Sequence, residues 1–222
     1  MLNLFFPQLC CGCNRRLFSS GQILCVNCIH RLPMNIPNNL IFNQFTRNFF
    51  GRVPLKFGLS LLTFERHGLS QQLLHGLKYK GKQALGTYFG TWLGEILHQL
   101  PQELTPALII PVPLSKGRMR SRGYNQVHTF AAATAKKLQI PCNRQVLVKQ
   151  EEATSKVFLK RASRFRPDTN PFVLKGSSKP LEGLHILVVD DIITTGATLE
   201  SCAKVLLKIP GVSVSFATIA MA

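Results

Sequence analysis

The sequence predicts an α/β chain in which a small cysteine-rich module precedes a parallel-sheet domain, and three observations carry that prediction. Ile186–Val189 is a continuous aliphatic run of the kind buried on both faces of a parallel sheet. Ala107–Pro113 is a second such run, and each leads through a polar turn into residues at helical spacing, the strand–loop–helix order of α/β folds. Ahead of both, Cys10-Cys11-Gly12-Cys13 and Cys25-Val26-Asn27-Cys28 form two C-x-x-C knuckles. The expected boundaries are a metal-binding module over 1–35, a connector over 36–52 and the sheet domain over 53–222.

At 222 residues the chain can bury one good core and carry a small appended module. A hydrophobic content of 45% argues against disorder. The opening Met1–Pro7 has no basic leader and its apolar run stops at the proline, so it reads as neither a secretory signal nor a membrane anchor. No later stretch reaches the roughly 20 uncharged apolar residues of a membrane span, and a cytoplasmic location is expected. The formal charge of +17, from 27 Lys plus Arg against 10 Asp plus Glu, implies polyanionic company. It is unevenly spread: no acid precedes Glu65, and cations cluster at Lys116, Arg118, Arg120 and Arg122 and again at Lys156, Lys160, Arg161, Arg164 and Arg166.

Four thiolates from two knuckles suit tetrahedral zinc, with Cys10, Cys13, Cys25 and Cys28 as ligands and Gly12 easing the turn; Cys11 could replace Cys10. A segment of about 30 residues cannot bury its own core, so the metal would supply folding energy. His30 reads as a surface residue. The Asn- and Pro-rich stretch 36–51 is a connector anchored by its phenylalanines. Val53–Phe64 alternates as one or two strands hinged at Gly58. Leu69, Leu73, Leu74 and Leu77 mark a helix, and Leu85 through Leu100 a longer amphipathic one ending near Pro101.

The strand at Ala107–Pro113 opens into Leu114–Gln126, read as a basic loop whose glycines and cations suit a diphosphate. A helix from Val127, a strand near Val146–Lys149, a long basic flap over 150–169 and a short strand at 171–174 follow. Beyond Val189 come Asp190-Asp191, then Thr194-Thr195-Gly196-Ala197-Thr198, where a helix begins. Free backbone N–H groups and the helix dipole favour a phosphate there, while adjacent carboxylates accept hydrogen bonds from hydroxyls. A sugar phosphate such as ribose 5-phosphate offers both. Helical spacing resumes at Leu199, Cys202, Ala203 and Leu206, and Val212–Ile219 is the last strand.

The string Asp190–Thr198 resembles the phosphoribosyl-diphosphate motif of type I phosphoribosyltransferases. Together with the paired knuckles, Lys78-Tyr79 with Gly81, and Pro111-Val112-Pro113 through Arg122-Gly123-Tyr124-Asn125-Gln126, it resembles the ComF family of competence proteins nearly end to end. That resemblance implies a type I phosphoribosyltransferase-like parallel sheet behind a four-cysteine zinc module, and a role in DNA uptake and natural transformation. It implies that Asp190 and Asp191 bind the ribose hydroxyls, that Thr194, Thr195, Gly196, Ala197 and Thr198 hold the 5-phosphate, and that Arg118, Arg122 and Gly123 meet the diphosphate. Magnesium would arrive on the diphosphate of phosphoribosyl diphosphate. The implied partners are that ligand or a related sugar phosphate, single-stranded DNA, and a DNA-uptake helicase or other transformation protein. The alternative activity is transfer of ribose 5-phosphate to a nitrogen base. The flap departs from the family: aligned on Leu159, Arg164 and Phe172, it has Lys156 in place of Gln and Pro167 in place of Asn, which makes it more basic and less able to read a base edge.

Overall fold

The computed structural model describes residues 7–19, 21–150 and 170–222. Two short helices come first, α1 (Val26–His30) and α2 (Gln44–Arg47), the latter closed by an Asn43–Thr46 capping box. Strand β1 (Leu55–Thr63), helix α3 (Leu69–Tyr79) and helix α4 (Ala84–His98) follow. Then come β2 (Leu108–Pro111), α5 (Lys116–Arg122), α6 (Val127–Leu138), β3 (Leu147–Lys149) and β4 (Phe172–Leu174). The last elements are β5 (His185–Ile193), α7 (Ala197–Leu206) and β6 (Ser213–Met221).

Four strands form a parallel sheet in the order β1-β6-β5-β2, while β3 and β4 make a separate antiparallel ribbon. The expected strand around Gly58 is one strand, with a register shift between Leu55 and Gly58. Gly58 is there because Phe45 crosses it: an added Cβ would lie 2.6 Å from the Phe45 ring.

Two sequence expectations need correction. The basic stretch after Pro113 is not all loop: Lys116–Arg122 is helical, capped by Ser115 at its start and by Gly123 at φ 74° at its end. The strand carrying the paired carboxylates does not end at them. It continues to Ile193 because β6 pairs with it as far as Ile193–Met221, whereas β2 leaves it at Pro111–Val189. Asp190 and Asp191 therefore stand where one neighbour has departed and the other remains. The flap over 150–169 lies outside the described residues, apart from Gln150.

Alternation along β5 divides the interior into two apolar layers. Leu187 and Val189 face α3, α4 and α6, while Ile186 and Val188 face α7 and the β3–β4 ribbon. The first layer also takes in Cys10, Leu17, Leu24, Cys28 and Leu32, so the cysteine-bearing segment shares its core with the sheet. The second takes in Phe45 and Phe49 from the connector. Residues 33–35 cover the outer edge of β1, with Asn35 N–H donating to Leu61 O and Thr63 N–H to Pro33 O. Among the described residues no helix is long and apolar enough to cross a membrane.

Helices α4 and α6 approach closely along Gly86, Gly90 and Gly94, which recur every four residues on one face. A Cβ on Gly90 would fall 2.3 Å from the Phe130 carbonyl oxygen, and Thr134 Oγ1 donates to Gly90 O at 3.0 Å. Gly117 in α5 meets nothing within 4 Å. Alanine at these two glycines should therefore act with opposite sign. G90A is expected to destabilise by about 1–3 kcal/mol through forced separation of the helices. G117A should stabilise by up to about 1 kcal/mol through helix propensity. Urea unfolding of both variants checks this.

Candidate functional site

The two carboxylates at the end of β5 point to opposite faces of the sheet, and their surroundings differ accordingly. Asp191 is 4% exposed and both its oxygens are engaged. Lys78 Nζ, from the last turn of α3, lies 3.2 Å from Oδ1, and Gln126 Nε2, at the start of α6, donates to Oδ2 at 2.5 Å. Gln126 Oε1 in turn accepts from Arg122 at 2.9 Å. The Arg122 guanidinium donates to Tyr79 Oη at 3.0 Å, with its carbon 4.9 Å from the centre of that ring. Tyr124 Oη donates to Leu77 O, tying α3 to the turn between α5 and α6.

Asp190 is the less encumbered of the pair. Its Oδ1 accepts from the Asp191 backbone N–H at 2.8 Å. Loss of solvation first, and the Asp191 charge second, push its carboxyl up to about 8, against the opposing pull of that hydrogen bond, Lys78 and Lys149. A carboxyl held this way can give or take a proton near neutrality, or accept from a hydroxyl once ionised.

Beyond Ile193 the chain turns through Thr194 and Thr195, both exposed, into the buried Gly196. Gly196 sits at φ 79° as the residue before α7, and an added Cβ there would lie 2.8 Å from the Phe49 ring. Ala197 and Thr198 begin the helix, exposed, with Thr195 Oγ1 accepting from Ala197 N–H at 3.4 Å. Arg52 fixes the turn from behind: it donates to Thr195 O at 3.2 Å and pairs with Glu200. Lys204 and Arg52 hold the Glu200 carboxyl below the usual range, so it stays ionised and its charge is spent on them. The result is an open threonine turn at a helix N-terminus beside two carboxylates, able to take an anion and hydroxyls together.

Arg118, Arg122 and Gly123 lie on α5 and its cap. Arg122 reaches the Asp191 network, whereas Arg118 is exposed and is held through its backbone, its N–H donating to Ser115 Oγ and its carbonyl accepting from Ser121 Oγ. Lys78, Tyr79, Gln126 and Arg52 had no role assigned from sequence. Lys78-Tyr79 stood out only as part of a family pattern, and Gln126 as the close of another. Arg52 carried no signal beyond charge.

The four sulfurs of Cys10, Cys13, Cys25 and Cys28 lie within 4.8 Å of one another, with Cys13 and Cys25 3.6 Å apart. Zinc with sulfur ligands at about 2.3 Å would require sulfur–sulfur edges of about 3.8 Å, so the cluster is compatible with structural zinc. Cys10 is the member of the pair that joins it, and its sulfur accepts from Cys25 N–H at 3.2 Å. Burial raises the Cys10 thiol, but backbone N–H groups outweigh burial and bring it down to about 6, which favours a thiolate. Cys11 stays outside the cluster, raised by burial, with its carbonyl accepting from Lys82. Gly12 is required by proximity rather than by turn freedom: a Cβ there would lie 2.8 Å from Cys28 Sγ. Its carbonyl accepts from Gln72, so α3 is anchored to the cysteine cluster at one end and to Asp191 at the other.

Residues 128–221 match the phosphoribosyl transferase domain family. The DNA utilization protein YhgH of Escherichia coli O157:H7 is 29% identical over 144 residues, covering 61% of this chain and 60% of that protein. Competence protein ComFC of Bacillus subtilis is 34% identical over 101 residues, covering 46% of this chain and 38% of that protein. Competence protein F of Haemophilus influenzae is 33% identical over 112 residues, covering 50% and 48%. The chain thus spans between 38% and 60% of the length of these relatives. A purine phosphoribosyltransferase from Pyrococcus horikoshii overlays with a TM-score of 0.37 at 19% identity, covering 61% of this chain and 73% of that one. At that score the overlay adds nothing to the domain match. The chain is thus similar to competence and DNA utilization proteins over about half of its length, and it has a type I phosphoribosyltransferase fold with a parallel sheet.

Asp191 depends on Lys78 for its charge partner, so K78M should destabilise the protein by about 2–3 kcal/mol, somewhat less than loss of a fully buried partner because Gln126 still donates. Adding D191N to K78M should recover at least half of that loss. A double-variant cycle in urea measures the coupling, and full additivity would show that the two groups do not interact.

Proposed function

We propose that this protein acts in DNA uptake and natural transformation, as a competence factor with a phosphoribosyl-diphosphate pocket at the carboxyl end of β5 and a basic surface that contacts single-stranded DNA. The observation that carries the pocket is the juxtaposition of Asp190 with the open turn Thr194–Thr198 at the start of α7. Thr194, Thr195 and Thr198, with the backbone N–H groups around Gly196 and Ala197, would hold the 5-phosphate. Asp190 accepts from the ribose hydroxyls, and Asp191, fixed by Lys78 and Gln126, orients its neighbour and lines the same end of the strand. Arg122 and Gly123 would face the diphosphate, with Arg118 as an outer cation. Magnesium bound to the diphosphate would neutralise part of its charge and fix its geometry. Zinc on Cys10, Cys13, Cys25 and Cys28 would be structural. The names of the relatives support the role in DNA handling.

A second reading, transfer of ribose 5-phosphate to a nitrogen base, is favoured by the match over 128–221. Positioning and electrostatic stabilisation of an oxocarbenium-like centre would be its main demands. Release of diphosphate with a panel of bases, above a D190N/D191N control, separates turnover from binding alone.

Phosphoribosyl diphosphate with magnesium should bind in calorimetry, and D190N should weaken it at least tenfold. Because Asp190 accepts only when ionised and its carboxyl is pushed up to about 8, affinity should rise as pH increases from 7 to 9. D190N should flatten that rise, and a pH-independent affinity in the unaltered protein would sink the assignment. Metal analysis of reduced protein should find one zinc per chain, absent in C25S. Since Cys10 and Cys28 sit in the core shared with α3 and α4, chelation should lower the melting temperature of the protein.

A further inference from the structure

We propose that a single strand of nucleic acid lies along the groove between α4 and α6, apart from the sugar-phosphate pocket. The proposal rests on the DNA-contact reading above and locates it. The groove has a volume of about 970 Å³, and its lining includes none of Lys78, Asp190, Asp191 or Thr194–Thr198. Gly123, at the end of α5, is the one predicted pocket residue that lines it.

Charge selects the occupant. Residues 104–150 contain no acid and eight cations: Lys116, Arg118, Arg120, Arg122, Lys136, Lys137, Arg144 and Lys149. Of the four ion pairs among the described residues, only Lys137–Glu95 involves a cation of this stretch. Lys136 and Arg144 line the groove, and no carboxylate does. Helix α5 buries no residue, so it holds Lys116, Arg118 and Arg120 out in solvent beside Met119, which lines the groove. Among the described residues, only Arg122, near its end, ties this helix to its neighbours by a side-chain hydrogen bond. Cations held in solvent by such an element are available to a phosphate backbone.

Shape and polarity favour a single strand over a duplex. The groove runs along two helices that pack closely at Gly86, Gly90 and Gly94, and its tyrosine, histidine and threonine side chains suit bases that only a single strand leaves unpaired. Its wall offers Met119, Tyr124 and His128 to the flat faces of bases, and Thr87 and Thr91 to their edges. Burial first, and the Arg144 charge second, lower the His128 imidazole below its usual range and so favour the uncharged ring, which suits stacking. Single-strand binding by stacking plus a cationic rim is tolerant of sequence and strongly salt-dependent. Pocket and groove adjoin at Gly123, and the exposed Arg118 lies between them.

The test uses the full chain and a fluorescent 20-mer of deoxythymidine, read by anisotropy over a salt series. K136E/R144E should weaken binding at least tenfold and shallow the salt dependence, while calorimetric affinity for phosphoribosyl diphosphate stays unchanged, which also shows that the variant folds. K175E/K179E, the same charge change at exposed positions outside the groove, should leave strand binding within twofold. D190N should lose the sugar phosphate and keep the strand. Photo-crosslinking of iodouracil-bearing strand should label residues of α6. The proposal falls if K136E/R144E binds the strand as the unaltered protein does, if duplex binds as tightly as single strand, or if anionic phospholipid vesicles displace the strand. An unaltered protein that ignores the strand at low salt overturns the DNA-contact reading and the groove with it; normal strand binding with an unaffected groove variant overturns the groove alone.

Discussion

The buried carboxyl group of Asp191 is the constraint around which the carboxyl end of the sheet is arranged. A carboxylate 4% exposed must find partners inside the protein or cease to be charged. Here the partners come from two other elements, Lys78 from α3 and Gln126 from the start of α6, and each is itself held in place. Arg122 grips Gln126 and Tyr79, and Tyr124 grips Leu77, so α3, α5 and α6 converge on one point of β5. Asp190, one residue earlier and on the other face, gains a fixed backbone without losing its freedom to bind. The division of labour between adjacent identical residues follows from strand alternation: one side chain is turned toward helices with cations, the other toward the open end.

The cysteine cluster belongs to this arrangement more closely than a detachable module would. Gln72 within α3 and Lys82 just beyond it reach the carbonyls of Gly12 and Cys11, so the helix that carries Lys78 is tied to the cysteine segment. Rigid helices transmit position over such distances when both ends are tied. Metal at the cysteines and charge at Asp191 thus act on the same helix.

Much of this was legible in the sequence where burial imposes a period. Ile186–Val189, the helix starting at Leu69 and the glycine-bearing helix α4 all carry clear apolar patterns, and each forms as expected. The short helix Lys116–Arg122 is not legible in the sequence for a physical reason: it buries nothing, and a helix without an apolar face leaves no periodic trace. The choice between Cys10 and Cys11 could not be made because both fit the spacing; it is decided by Cys25 N–H pointing at the Cys10 sulfur. The partnership of Lys78 and Asp191 is equally invisible in one dimension. It joins a helix end to a strand end across the sheet, and no local rule links residues so far apart. Aspartates, threonines and glycine at 190–198 were legible because their chemistry is compressed into nine consecutive residues.

The strand order has a consequence for how the chain reaches this state. Strand β1 finds its partner only in β6, with Gly58 beside Phe216 and Thr63 beside Met221. Every residue between them must be synthesised before the first strand of the sheet can be hydrogen-bonded along that side. Until then Phe57, Leu59 and Leu61 have no sheet neighbour to cover them, although the segment 33–35 can already shield the opposite edge. Such long-range parallel pairing folds slowly and leaves apolar strands exposed to other chains in the interval. The interval between the emergence of residue 63 and that of residue 221 is thus the time for which β1 must wait for its sheet partner.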